Sequence, residues 1–99
     1  MADKIEVNYG ELQRAANGFN QGSQSVEQMI QKIKAAVDNL RSTWQGRGAD
    51  AFFKEMDEMV FPGLKKLESA LDQACATTNQ VANIFQQAET EASGIFNQD

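Results

Sequence analysis

Apolar residues recur along the first half of the chain in steps that alternate between three and four, from Leu12 to Leu40. A 3.5-residue repeat kept over several heptads is typical of helices that pack side by side. Its members are Leu12, Ala15, Phe19, Gly22, Val26, Met29, Ile33, Ala36 and Leu40, with Ala16, Ile30 and Val37 widening the stripe. Asn8 is a suitable N-cap, and Glu11 follows it at capping-box spacing. The pattern predicts a helix over about residues 9–41.

A second series of the same kind fills the second half of the chain. Its members are Phe53, Met56, Val60, Leu64, Leu67, Leu71, Ala74, Thr78, Val81, Phe85, Ala88, Ala92 and Ile95. Two successive steps of four interrupt the alternation next to Pro62, the only proline in the chain. Because the apolar phase resumes almost unchanged beyond the proline, we predict a helix over about residues 50–94 that bends at Pro62 without ending there.

The segment between the two series, about residues 42–49, predicts a turn. It contains Gly46 and Gly48, and Gly46 is suited to the left-handed conformation that ends many helices. A short connection makes consecutive helices antiparallel neighbours. We therefore predict an all-α fold in which residues 1–99 form one domain, an antiparallel two-helix hairpin.

The width of the apolar stripes predicts that this hairpin associates with a second one. Two helices cover only one side of each stripe, and an exposed apolar strip usually marks a partner surface. We expect the hairpin to dimerise into an elongated four-helix bundle. The residues predicted on the dimer or hairpin seam are Leu12, Phe19, Val26, Ile33, Leu64 and Leu71.

Composition narrows the possible functions. The 99 residues include no histidine and carry a net charge of −5. Histidine is the commonest general base and metal ligand, so we predict a protein that is not an enzyme, with no catalytic residues, no cofactor and no metal site. The acidic balance argues against nucleic acid as a partner, since binding to phosphates needs a basic surface.

The sequence also bears on membranes and targeting. No apolar run approaches the length of a transmembrane helix, so we expect no membrane insertion by the chain itself. The charged start Met1–Glu6 has no apolar segment behind it, unlike a cleaved signal peptide.

Charge is unevenly distributed along the chain. Residues 1–66 contain all nine basic side chains and as many acidic ones, so the net charge comes from residues 67–99. Acidic residues near a helix C-terminus are disfavoured by the helix dipole. Two interpretations stay open, a solvated polar end and a recognition surface.

Two other groups of residues bear on chemistry. Cys75 adjoins a stripe residue, and packing as a small apolar group is the favoured interpretation, with an intermolecular disulfide as the alternative if the thiol is exposed.

The acids Asp50, Glu55, Asp57 and Glu58 lie close in sequence. Without a histidine or a second spaced cluster, a solvated face is favoured over a catalytic carboxylate pair.

Trp44-Gln45-Gly46, at the midpoint of a two-helix chain of this length, resembles the motif of the WxG family. These are the early secreted antigen-like proteins exported by type VII secretion systems. The small and aromatic residues from Gly48 to Phe53 strengthen the resemblance. It implies a homodimer, or a heterodimer with a second WxG protein, recognised by a membrane-anchored FtsK/SpoIIIE-type ATPase. It also implies secretion from the bacterial cell after cytoplasmic synthesis, without a cleaved signal peptide.

The C-terminal helix resembles the family's export signal, a hydrophobic residue followed at set spacing by an acid, a small residue and a second hydrophobic residue. Phe85, Glu89, Ala92 and Phe96 occupy these positions, with Phe85 where the family usually has tyrosine. All four share one helical face, so an ordinary amphipathic helix end would show the same spacing.

Trp44 also has two interpretations. The residue type favours an apolar plug that closes the hairpin end, whereas the resemblance places Trp44 beside a partner's C-terminal segment.

Two hypotheses about function follow. The leading one is a non-enzymatic type VII secretion substrate, exported as a folded dimer, with a Trp-x-Gly turn and a C-terminal export signal. The alternative is an intracellular helical adaptor or chaperone that binds a partner helix through its apolar strip. The sequence leaves open whether a dimer is homomeric or heteromeric.

Overall fold

The computed structural model describes residues 8–96, except the side chains of Ser93, Ile95 and Phe96, as a two-helix hairpin. Helix α1 spans Tyr9–Thr43. The returning arm consists of α2 (Arg47–Glu55), a π-helical turn (Met56–Val60) and α3 (Phe61–Phe96), which follow one another without a break. The molecule measures 80 × 23 × 17 Å. The predicted all-α hairpin is confirmed, and its shape is that of a rod.

Both ends of α1 are capped by local hydrogen bonds. The backbone N–H of Glu11 donates to the side-chain oxygen of Asn8 at 3.1 Å, so Asn8 is the N-cap. At the other end the N–H of Trp44 donates to the carbonyl of Leu40 at 2.8 Å. The helix runs slightly beyond the predicted end at residue 41, to Thr43, whose hydroxyl donates to the carbonyl of Asn39 at 3.2 Å.

The face of α1 that meets the returning arm differs from the centre of the predicted stripe. Its buried or half-buried positions, which we call the α1 seam, are Tyr9, Leu12, Ala16, Phe19, Gly22, Ser23, Val26, Ile30, Ile33 and Val37. Ala15, Met29, Ala36 and Leu40 were predicted at its centre but are exposed, whereas the predicted edge residues Ala16, Ile30 and Val37 are buried. The chain contains two overlapping apolar lines, and the returning arm covers only one.

A similar correction applies to α3. Leu67 was predicted on the stripe, but it is 46% exposed. The neighbouring Glu68 lies closer to α1, with a side chain only 14% exposed and its carboxylate 3.3 Å from the Nζ of Lys65. Pairing with Lys65 offsets the cost of removing this charge from water. The half-buried α3 residues include Leu64, Leu71, Ala74, Cys75, Thr78, Val81, Ala82 and Phe85.

All six residues predicted on the dimer or hairpin seam lie between α1 and the returning arm. Val26 is buried, and the remaining five are half-buried: Leu12, Phe19, Ile33, Leu64 and Leu71. The two arms are in contact at Gly22, where an added Cβ would lie 3.5 Å from Leu71 Cδ1. Beside it, the hydroxyl of the buried Ser23 donates to the carboxylate of Asp72.

The π-helical turn explains the interrupted apolar alternation. In it the N–H of Phe61 donates to the carbonyl of Met56, five residues back. A turn widened by one residue keeps Met56, Val60 and Leu64 on the same side of the arm despite two successive steps of four. Pro62 follows directly, and the helix runs through it. Because proline has no N–H to donate, a locally widened turn is a suitable place for it.

Replacing Pro62 with alanine tests this account. Pro62→Ala should leave the arm continuous and raise the free energy of unfolding by up to about 3 kcal/mol, the cost of proline in a regular helix interior. Urea unfolding followed by circular dichroism measures the gain, and backbone chemical shifts report helicity over residues 56–64. A variant whose arm separates into two helices would contradict the account.

Candidate functional site

The Trp-x-Gly motif forms the whole connection between the two arms. Trp44 caps the end of α1, and Gly46 precedes the first residue of α2. Gly46 has φ 121° and ψ 179°, a region that is essentially open only to glycine. Its carbonyl accepts the N–H of Asp50 at 3.0 Å, which begins the next helix. The chain therefore reverses in three residues only because position 46 carries no side chain.

Trp44 belongs to a cluster of three aromatic rings at this end of the rod. Its ring centroid lies 5.5 Å from that of Phe52 and 5.8 Å from that of Phe53. The cluster covers Ala49, which is 1% exposed, and joins the core formed with Val37 and others. Trp44 itself remains 40% exposed. Part of the indole thus packs against the end of the hairpin, and the rest is in contact with solvent.

Arg41 ties the aromatic cluster to the π-helical turn. Its guanidinium carbon lies 4.6 Å from the centroid of the Phe53 ring, and one of its terminal nitrogens lies 2.7 Å from Asp57 Oδ1. Asp57 was predicted to lie on a solvated face, and Arg41 was not predicted as its partner, because no local spacing links residues on opposite arms. Both side chains are partly exposed, so the ion pair itself adds at most about 1 kcal/mol.

The predicted export residues lie at the opposite, open end of the hairpin. Phe85 is half-buried against α1, whereas Glu89 and Ala92 are exposed. The side chain of Phe96 lies outside the described residues. The opposite face of this helix is polar and lines a shallow groove formed by Asn83, Gln86, Gln87, Thr90 and Glu91.

Tyr9, which sequence analysis did not single out, lies beside the export residues. Its hydroxyl oxygen is enclosed and makes no hydrogen bond of ordinary geometry with the described residues. Burial of this hydroxyl raises the pKa of Tyr9, and the nearby carboxylate of Glu89 raises it further, as an acceptor for the hydroxyl proton and as a negative charge. The one available sequence signal is that Tyr9 is the only tyrosine.

The two candidate sites are far apart within one chain. The roughly 35 residues between Phe53 and Glu89 span about 50 Å at 1.5 Å per helical residue. The hairpin therefore does not bring Trp44 and Glu89 together. Within the described part of the chain, neither long helix has a stretch apolar enough to cross a membrane.

Comparison with known proteins identifies a family that the sequence of this chain matches. Residues 4–90 match the WXG100 family, described as proteins of 100 residues with WXG. Protein YukE of Bacillus subtilis (strain 168) is 24% identical over 91 residues, which cover 92% of this chain and 93% of that protein. The type VII secretion system extracellular protein A of Staphylococcus aureus (strain USA300) is 22% identical over 92 residues, 93% of this chain and 94% of that protein. No solved structure matches significantly.

The requirement for glycine at position 46 can be tested against a glycine two residues away. Gly46→Ala should lower the free energy of unfolding by about 1–3 kcal/mol, because alanine is strained at this backbone conformation. Gly48→Ala is the matched control. Its Cβ would lie 3.8 Å from a ring carbon of Trp44, an ordinary contact, and alanine favours the helix there. Equal losses in the two variants, measured by urea unfolding, would contradict the assigned role of Gly46.

Proposed function

Since the chain belongs to the WXG100 family, we propose that it is a non-enzymatic protein exported by a type VII secretion system as a folded dimer of hairpins. The family match over residues 4–90 is the observation that carries this proposal. A relative named as a type VII secretion system extracellular protein, aligned over nearly all of both chains, supports it. On this proposal the protein is made in the cytoplasm and secreted without a cleaved signal peptide or membrane insertion of its own.

An exposed apolar face supports dimerisation. On each arm a line of small or apolar residues recurs every seven positions beside the seam. The two lines are Ala15, Gly22, Met29 and Ala36 on α1, and Leu67, Ala74, Val81 and Ala88 on α3. Gly22, Ala74 and Val81 are half-buried at the border of the seam, and the other five are exposed. Viewed along each helix from its N-terminus, both lines are rotated away from the seam in the same direction. Because the two helices are antiparallel, this rotation places both lines on one face of the hairpin. Met29 and Leu67 are 41% and 46% exposed on it.

The distance between the two motifs supports an antiparallel arrangement of the two hairpins. A single chain holds Trp44 and Glu89 at opposite ends of a rod 80 Å long. A second WxG chain, identical or different, laid antiparallel on the apolar face would bring its own Glu89 position near the exposed part of Trp44. Recognition by the FtsK/SpoIIIE-type ATPase would then depend on a surface from two chains.

Phe85, Glu89, Ala92 and Phe96 are the proposed export signal. Glu89 and Ala92 are exposed and free to meet the ATPase, while Phe85 is half-buried and also packs against α1. The intracellular adaptor or chaperone hypothesis uses the same apolar face but requires no recognition of Glu89. Retention of the protein inside cells with an active type VII system would favour that alternative.

Dimerisation is the first expectation to test. The purified chain should have about twice its mass of 10.9 kDa by light scattering after size exclusion. Met29→Glu places a charge on the apolar face and should give a helical monomer, because desolvating an unpaired carboxylate is costly. Gln28→Glu adds the same charge at an exposed position on the side of α1 away from the seam, and it should remain dimeric. A wild-type chain that stays monomeric would contradict self-association and favour a second WxG protein as the partner.

Export is tested by removing one acid at a time. Glu89→Ala should strongly lower secretion from a host with an active type VII system, while circular dichroism, melting temperature and dimer mass stay near wild type. An exposed substitution of this kind changes stability by no more than about 0.5 kcal/mol. Glu91→Ala removes the same charge from the polar groove face and should be secreted normally. Normal secretion of Glu89→Ala would contradict the proposed signal.

A further inference from the structure

The open end of the hairpin contains a polar contact that the export proposal does not use. The hydroxyl oxygen of Tyr9 is enclosed yet forms no ordinary hydrogen bond with the described residues. Burial raises the pKa of Tyr9, and the nearby carboxylate of Glu89 raises it further, as an acceptor for the hydroxyl proton and as a negative charge. An enclosed hydroxyl without a partner costs free energy, so a small side-chain rotation that completes this bond is favoured.

The register of the two arms independently places these residues together. Ser23 bonds to Asp72 across the seam. Antiparallel helices advance at the same rise per residue, so counting from Ser23 back to Tyr9 and the same distance forward from Asp72 reaches residue 86, within one turn of Glu89. The packing of the whole hairpin therefore places Tyr9 and Glu89 at the same level of the rod.

We propose that Tyr9 is a positioning residue for the export signal, in which its hydroxyl donates to the Glu89 carboxylate and holds it in the orientation that the export machinery recognises. The inference rests on the proposed export function of Glu89 and extends the recognised surface to the first turn of α1. A hydrogen bond donated to a carboxylate is charge-assisted, so it restricts the orientation of the Glu89 side chain.

Exposure indicates that Tyr9 orients Glu89 and does not conceal it. Glu89 is an exposed residue, whereas the hydroxyl of Tyr9 is enclosed. A donor that approaches from the protein side leaves the outer side of the carboxylate open to a partner. One oxygen can then accept from Tyr9 while the other remains available, because a carboxylate has several acceptor positions.

The contact itself is tested in the purified full chain by titrating Tyr9. It is the only tyrosine, so the near-ultraviolet absorbance of tyrosinate reports its pKa without interference from another phenol. Glu89→Gln should lower the pKa of Tyr9 toward its ordinary value, because a neutral amide no longer disfavours the phenolate. Glu91→Gln, the same change on the groove face, should leave the titration unchanged. Equal titration curves for wild type and Glu89→Gln would overturn the proposal.

The positioning role is tested by secretion. Tyr9→Phe removes only the hydroxyl and should lower secretion several-fold, with melting temperature and dimer mass near wild type. In the Glu89→Ala background, Tyr9→Phe should have no further effect on secretion, since the group that Tyr9 positions is gone.

Three outcomes would contradict these proposals. Full secretion of Tyr9→Phe together with lost secretion of Glu89→Ala would overturn the role of Tyr9 and leave the export signal unchanged. If Tyr9→Phe were secreted more than wild type, the role of Tyr9 would also be overturned, because the hydroxyl would then be shown to make Glu89 less accessible to the export machinery. Normal secretion of Glu89→Ala would overturn both proposals.

Discussion

Burial along one seam between two antiparallel helices is the constraint on which this molecule depends. Each helix has one neighbour, so each can remove only one line of side chains from water. With a shortest dimension of 17 Å, the rod has no room for a second layer. Burying a large aliphatic or aromatic side chain contributes about 1.5–3 kcal/mol. Among the described side chains the buried apolar residues are few: Ala16, Val26, Ile30, Val37, Ala49, Phe53 and Met56. The uncovered line of each helix remains on the surface, where Met29 is 41% and Leu67 is 46% exposed.

The burial of side chains varies along the seam. At the turn, Phe53 and Met56 are buried, Trp44 and Phe52 pack on them, and Arg41 links the two arms. Beyond Met56, no side chain in the described part of the returning arm is fully buried. Local stability follows the density of buried apolar contacts. The turn is therefore the anchor of the hairpin, and the open end is the region where a polar contact such as that of Tyr9 has most influence on side-chain orientation.

The stiffness of the rod keeps the Trp-x-Gly turn and Glu89 far apart within one chain. A helical arm about 50 Å long separates the Trp-x-Gly turn from Glu89, and Pro62 does not interrupt it, since the π-helical turn accommodates the residue. The motifs cannot meet by bending one chain. Any surface containing both must come from two chains laid in opposite directions. The proposed dimer uses both features, since the short turn keeps each hairpin rigid and the exposed apolar face is where a second chain would pack.

Periodicity and turn chemistry in the sequence determined the hairpin, its N-cap at Asn8 and the continuation of the helix through Pro62. They also indicated that the turn needs Gly46, although this residue precedes α2 and does not end α1 as predicted. These features are local, because spacing along one helix and the conformation of one residue are properties of the chain itself. The export pattern of Phe85 and Glu89 was also visible in the sequence, as a resemblance. Only the tertiary structure decided which of the two apolar lines faces inward, placing Ala16 and Glu68 at the seam and Ala15 and Leu67 at the surface. Both lines keep the same seven-residue spacing, and the choice between them is the rotation of a helix about its axis, which its neighbour sets. The same holds for Arg41 with Asp57 and for Tyr9 with Glu89, since no spacing rule relates residues on opposite arms.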